Sequence, residues 1–294
     1  MAKIAATVIL YYPDQHTYTN ILSYIDQVEI LYVLDNSEIS YREMIEMLLP
    51  KSKVQYIHDG VNKGIAFRLN QAALLAIQAG YDLLLTMDQD SSFEKEVLVT
   101  YFNCIENSAG KNKVAMYGLQ SEGKDNSILS CASHEATQLI TSGSVVNLSI
   151  YKEINGFDEN LFIDGVDLEY CYRSILAGFS IIKLDHLYLH HKLGNISYHR
   201  SLKNFKLTSR TFHSPIRIYY MVRNYLYLKS KYQHYFKDEM KIQRKDLGIR
   251  IKNNLLYGNN RFPLLKYIYK AFIDYKKNNM GKILVSAKEM SSVH

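Results

Sequence analysis

The stretch DLLLTMDQDSS, residues 82–92, decides the fold. Asp82–Met87 (DLLLTM) is a strand-length run, apolar but for Asp82 and Thr86, with Asp88 directly after it. Such a run reads as a strand buried on both faces, the habit of a parallel sheet with helices above and below it. The same pattern recurs upstream. Ile4–Tyr11 is apolar and β-branched and stops before Pro13; Ile30–Leu34 and Val54–His58 are two more short strands. Between them lie helical segments at about Thr17–Gln27, Tyr41–Leu49 and Ile65–Gln78, the last closed by Ala79-Gly80. Strands and helices alternating over short connections predict an α/β chain. Its sheet is expected to be right-handed, mostly parallel, Rossmann-like and flanked by helices.

Ligands of such sheets bind outside the carboxyl ends of the strands. Here those ends deliver Tyr11-Tyr12, Asp35-Asn36-Ser37, the turn Asp59 to Gly64, and Asp88-Gln89-Asp90. No G-x-G-x-x-G and no G-x-x-x-x-G-K-[ST] is present, so dinucleotide and P-loop readings have no support. The expected site is acidic rather than glycine-rich.

Asp88 and Asp90 are the sharpest feature. Two carboxylates one residue apart, just past a buried strand, are hard oxygen ligands suited to Mg²⁺ or Mn²⁺ bridging a diphosphate. The plainer reading is a helix start, with Ser91-x-x-Glu94 as a capping box. It accounts for Ser91 and Glu94 and leaves Asp88 unexplained. A second acidic group, Asp164, Asp167 and Glu169, precedes a helical pattern running to Arg173. Acids favour a helix N-terminus, and Glu169 can pair with Arg173 on the surface four residues on. Asp164 and Asp167 have no such partner in the pattern, and either suits a general base.

Composition agrees with a large folded chain: 294 residues, 47% hydrophobic and 22% charged. Cys104, Cys131 and Cys171 are widely spaced and odd in number. That spacing argues against a disulfide framework and a cysteine zinc site, and for a reducing compartment. The N-terminus lacks a signal-peptide pattern and no apolar run is long enough to span a bilayer, so a cytoplasmic location is expected. The net charge of +6 hides an asymmetry. Residues 1–200 carry 15 Lys and Arg against 24 Asp and Glu, whereas residues 201–294 carry 20 against 5. Two parts with different partners are implied: a body over 1–200, divided near residue 92, and a basic helical segment over 201–294.

These residues carry a resemblance. Tyr11-Tyr12-Pro13, Asp35-Asn36-Ser37, Asn62-x-Gly64 with Asn70, and Asp88-x-Asp90-Ser91 follow one another in the order of inverting family 2 glycosyltransferases of the GT-A fold. Ser142-Gly143-Ser144, Gly156-Phe157-Asp158-Glu159, Asp164, Asp167-x-Glu169 to Arg173, and His191-x-x-Gly194 continue it. Tyr219-Tyr220-x-x-Arg223-Asn224 behind Ser214-Pro215 is most similar to the bacterial rhamnosyltransferase branch. The resemblance spans roughly residues 3–230; each motif is weak and their shared order is specific. One departure is Val166-Asp167, where the wider family has Glu-Asp.

The resemblance implies transfer of L-rhamnose from dTDP-L-rhamnose, with inversion, to a saccharide carried on undecaprenyl diphosphate, in cell-surface polysaccharide synthesis. It implies that Asp35 reads the pyrimidine ring, that Asp88 faces ribose or sugar, and that Asp90 binds the metal, Mg²⁺ or Mn²⁺. Asp167 is then the base, with Asp164 as the other candidate. His191 becomes a metal or diphosphate contact. Tyr11, Asn62, Gly64 and Arg68 join the donor site, although Asn62 and Gly64 also suit a plain turn before a helix and Arg68 a solvated arginine. The alternatives are another nucleoside-diphosphate hexose as donor, or a non-catalytic module gripping anions or nucleic acid. No nucleic-acid motif is present, and an acidic strand edge repels phosphate, so nucleic acid is not expected.

Two amphipathic stripes close the chain. Ile218, Met221, Val222, Tyr225 and Leu226 recur at helical spacing and are expected to pack on the body or on a second copy of the chain. After Pro263, Leu264, Leu265, Ile268, Ala271, Phe272 and Tyr275 share a face, with Lys266, Lys270, Asp274 and Lys277 opposite. That basic amphipathic pattern predicts peripheral contact with an anionic membrane, at the inner face of the cell membrane.

Overall fold

A computed structural model describes residues 2–120, 129–191, 196–200 and 206–283. The chain divides into two compact units. The first comprises residues 1–158 and 166–194, the second residues 159–165 and 195–294.

The first unit is built on strands β1 (Ile4–Leu10), β2 (Ile30–Asp35), β3 (Val54–His58) and β4 (Leu83–Asp88), with helices α1 (Gln15–Leu22), α2 (Arg42–Leu48) and α3 (Ile65–Gln78) between them. The two-residue β5 (Ser91–Ser92) follows, then α4 (Lys95–Glu106), β6 (Val114–Gln120), β7 (Ser133–Glu135), β8 (Ser144–Asn147), α5 (Leu148–Glu153), α6 (Val166–Leu176), β9 (Ser180–Tyr188) and β10 (His190–His191). Eight strands form one sheet in the order β3-β2-β1-β4-β8-β6-β9-β7. β1, β2, β3 and β4 pair in parallel, as do β6 and β9; β8 runs antiparallel to both β4 and β6. The mostly parallel sheet expected from the alternation is therefore present. β1 and β4 are apolar but for Thr7, Thr86 and the terminal Asp88, because both faces are covered. On one face Ala66, Leu69, Ala72, Ala73 and Ala76 of α3 let that helix lie close. On the other, Val8 and Leu10 meet Tyr18 and Ile21 of α1 within a large core that includes Tyr101 of α4.

Three local expectations are corrected. α1 stops at Leu22, because Ser23 caps it and a short 3₁₀ turn, Ile25–Gln27, follows. Ser91 and Glu94 form no capping box: Ser91–Ser92 pairs with His190–His191, and α4 begins only after Glu94. Cys104 and Cys131, 27 residues apart, lie with Cα atoms 5.3 Å apart in a disulfide. Sequence separation misled, because the chain returns through β6 to bring Cys131 back beside α4. The argument from cysteine spacing to a reducing compartment thus loses its premise.

The second unit contains the hairpin β11 (Ile196–Arg200) and β12 (Leu207–Thr211) and helices α7 (Pro215–Tyr232), α8 (Lys237–Tyr257) and α9 (Arg261–Lys276). Ser214 caps α7 by accepting from the Arg217 N–H at 3.3 Å, with Pro215 in the first turn, where its missing N–H costs nothing. α7 buries Ile218 and Val222 against Leu264 and Ala271 of α9, with Phe162 from the residue 159–165 segment. The face of α9 differs from the one expected. Leu264, Tyr267, Ala271 and Asp274 are buried, with Asp274 accepting from the Tyr219 hydroxyl at 2.8 Å. Leu265 and Phe272 point outward instead, joined by Phe262 and Tyr269. A buried carboxylate took a place that the pattern assigned to solvent, because Tyr219 and Lys270 satisfy it. Among the described residues no helix is long and apolar enough to cross a membrane.

Candidate active site

The acidic edge of the first unit is held by its own backbone. The Tyr11 N–H donates to Gln89 Oε1 at 2.8 Å, and Gln89 Nε2 donates back to the Tyr11 carbonyl at 3.2 Å. The middle residue of Asp88-Gln89-Asp90 thus ties the end of β4 to the end of β1. Asp88 is half-buried at the strand end and Asp90 is exposed beyond it. Behind them, Ser142 Oγ accepts from the Asp88 N–H at 3.2 Å and donates to Ser91 Oγ at 2.7 Å. Gly143, at φ +74°, passes so close to Leu189 that a Cβ would lie 2.9 Å from its side chain. The Ser142-Gly143-Ser144 motif is therefore a prop for the acidic loop.

Tyr11 and Tyr12 stand at the mouth, each about half exposed, their rings edge-on at 4.8 Å. Tyr12 adopts φ +47°, and its N–H donates to Ser37 Oγ at 2.8 Å. Its hydroxyl donates to Glu38 at 2.8 Å, and that bond pushes the Tyr12 pKa up to about 12. Next to them a cavity of about 400 Å³ opens, lined by Tyr12, Asp14, His16, Asn20, Asp90 and His190. His190 Nε2 lies 2.9 Å from Glu94.

Asp35 and Arg68, expected at the donor, are both buried and hold neighbouring loops through hydrogen bonds. Asp35 is fully buried, and its oxygens accept from the Ser37 N–H at 2.9 Å, the Tyr41 N–H at 3.2 Å and the Tyr56 hydroxyl. Burial, and then the bond to Asp35, raise the Tyr56 hydroxyl pKa to about 12. Arg68 is also fully buried. Its guanidinium donates to Asn36 Oδ1 at 3.1 Å, Gln71 at 2.9 Å, Asp59 at 2.6 Å and the Val61 carbonyl at 2.9 Å. Burial alone would raise the Asp59 pKa, but Arg68 and Lys63 outweigh it and hold that carboxyl well below the usual range. Arg68 is thus a hub for the loops after β2 and β3 rather than a solvated arginine. Asn62 Oδ1 accepts from Asn36 Nδ2 at 2.8 Å and from the Gly64 N–H at 3.1 Å. Gly64 sits at φ +87°, a left-handed conformation that favours glycine.

The second acidic group is split between two jobs. Asp167 lies half-buried in the first turn of α6, where its Oδ1 accepts from the Leu168 N–H at 2.9 Å. Glu169 is fully buried, and Arg173 binds both its oxygens at 2.7–3.1 Å, which corrects the surface pair expected there. Arg173 also donates to the carbonyls of Ile154 and Gly156, so the pair staples the Gly156-Phe157 turn. Asn70 grips the same turn: its Oδ1 accepts from the Phe157 N–H at 2.8 Å and its Nδ2 donates to the Phe157 carbonyl at 3.0 Å. Asp164 belongs to the second unit and has φ +68°. Arg217 takes up its carboxylate at 2.6 and 2.8 Å, and Asn224 holds the Ile163 and Asp164 carbonyls at 2.7 and 2.8 Å. Burial raises the Asp164 pKa against the opposing pull of Arg217 and Arg250.

A divalent cation fits the Asp88 and Asp90 donors. Among the described residues no three His, Cys, Asp or Glu side chains form a metal cage. Mg²⁺ and Mn²⁺ in phosphate-handling sites need only one or two carboxylates, because the substrate supplies the remaining oxygens. The His191 side chain lies outside the described residues; its backbone pairs with Ser91. Gln89, Ser142 and Arg217 escaped sequence reasoning as working parts. Gln89 had one signal, its place between two acids.

No protein-family model matches the chain. The dTDP-rhamnosyl transferase RfbF of Shigella flexneri is 24% identical over 245 residues, 78% of this chain and 81% of that protein. Among solved structures, GalNAc-T7 with UDP, GalNAc and Mn²⁺ is similar at a TM-score of 0.58 and 11% identity, over 99% of this chain. This chain covers 58% of GalNAc-T7. S. aureus TarS 1–349 in complex with UDP-GlcNAc is similar at a TM-score of 0.55 and 15% identity, over 93% of this chain and 80% of that one. The fold is that of GT-A glycosyltransferases, and the resemblance read from the motifs stands.

Proposed function

We propose that this chain is an inverting glycosyltransferase that moves L-rhamnose from dTDP-L-rhamnose to a saccharide acceptor. The observation that carries the reading is the acidic edge at Asp88 and Asp90, clamped by Gln89 to the exposed Tyr11-Tyr12 pair. The fold and the name of the Shigella flexneri relative support it. Tyr11 and Tyr12 offer ring faces on which a base can stack. Asp88 and Asp90 would hold Mg²⁺ or Mn²⁺, which when bound neutralises the charge gathering on the departing diphosphate. Asp167 takes the proton from the acceptor hydroxyl as that oxygen attacks the anomeric carbon. The new glycosidic bond forms as the bond to the diphosphate breaks on the opposite face. A single displacement of this kind inverts the centre and needs no covalent nucleophile. Asp164, taken up by Arg217, is the other candidate for the base in this scheme. A panel of nucleoside-diphosphate sugars, assayed by diphosphate release with and without Mn²⁺, tests the reading. Metal-dependent turnover of dTDP-L-rhamnose is expected; no turnover of any donor, or turnover indifferent to a chelator, would overturn it.

The acceptor is lipid-linked in this reading, and α9 meets the membrane. Phe262, Leu265, Tyr269 and Phe272 form an exposed stripe at helical spacing, bordered by Arg261, Lys266 and Lys276. Apolar side chains rimmed by cations suit an anionic lipid surface. The chain is expected to sediment with anionic vesicles at low salt, and Phe262→Ser with Phe272→Ser to lose that binding. Equal sedimentation with neutral vesicles, or none with either, would leave the stripe as an interface between two copies of the chain.

A further inference from the structure

In the second unit a cavity of about 500 Å³ lies where the end of α7 meets the start of α8. Lys229 reaches it from α7, and Lys237, Lys241 and Arg244 reach it from one face of α8, four and three residues apart. Tyr225 and Met240 line it, as do Gln233 and His234, and no carboxylate does. Asp238 pairs with Lys241 at 2.8 Å from outside the lining. Burial raises the Tyr225 hydroxyl pKa, and the Arg244 charge opposes that rise. Lys229 is half-buried and Met240 buried, which gives the cavity a partly dry floor. α8 starts at Phe236 without a side-chain cap, so its first N–H groups add positive potential to the same corner.

Lysines at the end of a helix complement its dipole, and that accounts for Lys229. It does not account for Lys237 in the first turn of the next helix, where a cation is unfavourable, nor for Lys241 and Arg244 further along the same face. Asp238 offsets Lys241, whereas Lys229, Lys237 and Arg244 around the same concavity repel one another unless an anion joins them. An arginine fork and three lysines, with hydroxyl and amide donors beside them, match a phosphate group.

We propose that this cavity is a phosphate-binding site, separate from the acidic edge of the first unit and independent of the glycosyl-transfer reading. The ligand carries a phosphomonoester or diphosphate, free in solution or as a lipid headgroup. Cation repulsion is relieved when the phosphate enters, with Arg244 giving two parallel N–H bonds and the lysines the compensating charge.

Calorimetric titration of the full chain with pyrophosphate, in a chelator that silences metal-dependent diphosphate binding elsewhere, tests it. A second arm uses phosphatidylcholine vesicles with and without phosphatidic acid. Lys229→Ala with Arg244→Ala should weaken binding in at least one arm by about tenfold or more, with an unchanged melting curve. Lys245→Ala, an exposed neighbour outside the cavity, should leave it as in the parent chain. Loss confined to the pyrophosphate arm identifies a soluble ligand, and loss confined to the vesicle arm a headgroup. Binding by the double variant equal to the parent, an equal loss in Lys245→Ala, or no binding in either arm would overturn the proposal. Asp90→Asn should bind pyrophosphate normally in chelator; if it does not, the acidic edge is the site being read and the proposal falls.

Discussion

The sheet edge of the first unit and the helical second unit handle charge in opposite ways. At the edge, Asp88 and Asp90 stand among backbone clamps and would repel a diphosphate unless a cation came with it. In the second unit Lys229, Lys237, Lys241 and Arg244 crowd one concavity and need an anion instead. Other carboxylates are neutralised locally. Asp59 in the first unit is neutralised by Arg68 and Lys63, and Asp164 in the second by Arg217, so neither adds to the local surplus. On the proposed reading, metal-dependent anion binding belongs to the first unit and metal-free anion binding to the second, and variants in one unit should leave the other's binding intact.

The largest expected effect lies at α6. Asp167→Asn should lower transfer by roughly 10²–10⁴-fold, the scale for losing a positioned proton acceptor, while donor affinity stays near that of the parent. Asp164→Asn should lower transfer less and lower the melting temperature of the second unit, because it leaves Arg217 without its partner. Steady-state kinetics with both variants check this. A greater transfer loss in Asp164→Asn would exchange the roles of the two carboxylates.

A smaller effect separates the units by stability. Cys104 and Cys131 close a loop within the first unit, and the second unit contains no cysteine. Reduction should therefore cost the first unit about 3 kcal/mol and leave the α7–α9 core unaffected. Calorimetric melting with and without a reductant reads it. A single transition that does not move, together with three titratable thiols in the denatured, unreduced chain, would contradict it.

The fold was legible in the sequence where burial alone sets the pattern. β3 (Val54–His58) and α3 (Ile65–Gln78) match their expected limits, because a short strand between turns and a helix closed by Ala79-Gly80 leave little choice. The antiparallel β8 between β4 and β6 was not legible, since pairing partners far apart in sequence leave no local signal. At the site, residue types were legible and their use was not. Asp35 and Arg68 carry the expected chemistry, yet burial turned both inward to hold loops. The stripe on α9 was visible as a period, but Tyr219, 55 residues away, decided that Asp274 faces the core.

The central claim is that the acidic edge receives the nucleotide sugar through a divalent cation held by Asp88 and Asp90. Titration of dTDP-L-rhamnose into the parent chain and into Asp90→Asn, each with Mn²⁺ and with a chelator, tests it most directly. The account predicts that the parent binds only with Mn²⁺ and that Asp90→Asn binds in neither condition, with the melting curve unchanged. Equal donor binding by both proteins with the chelator present would contradict it.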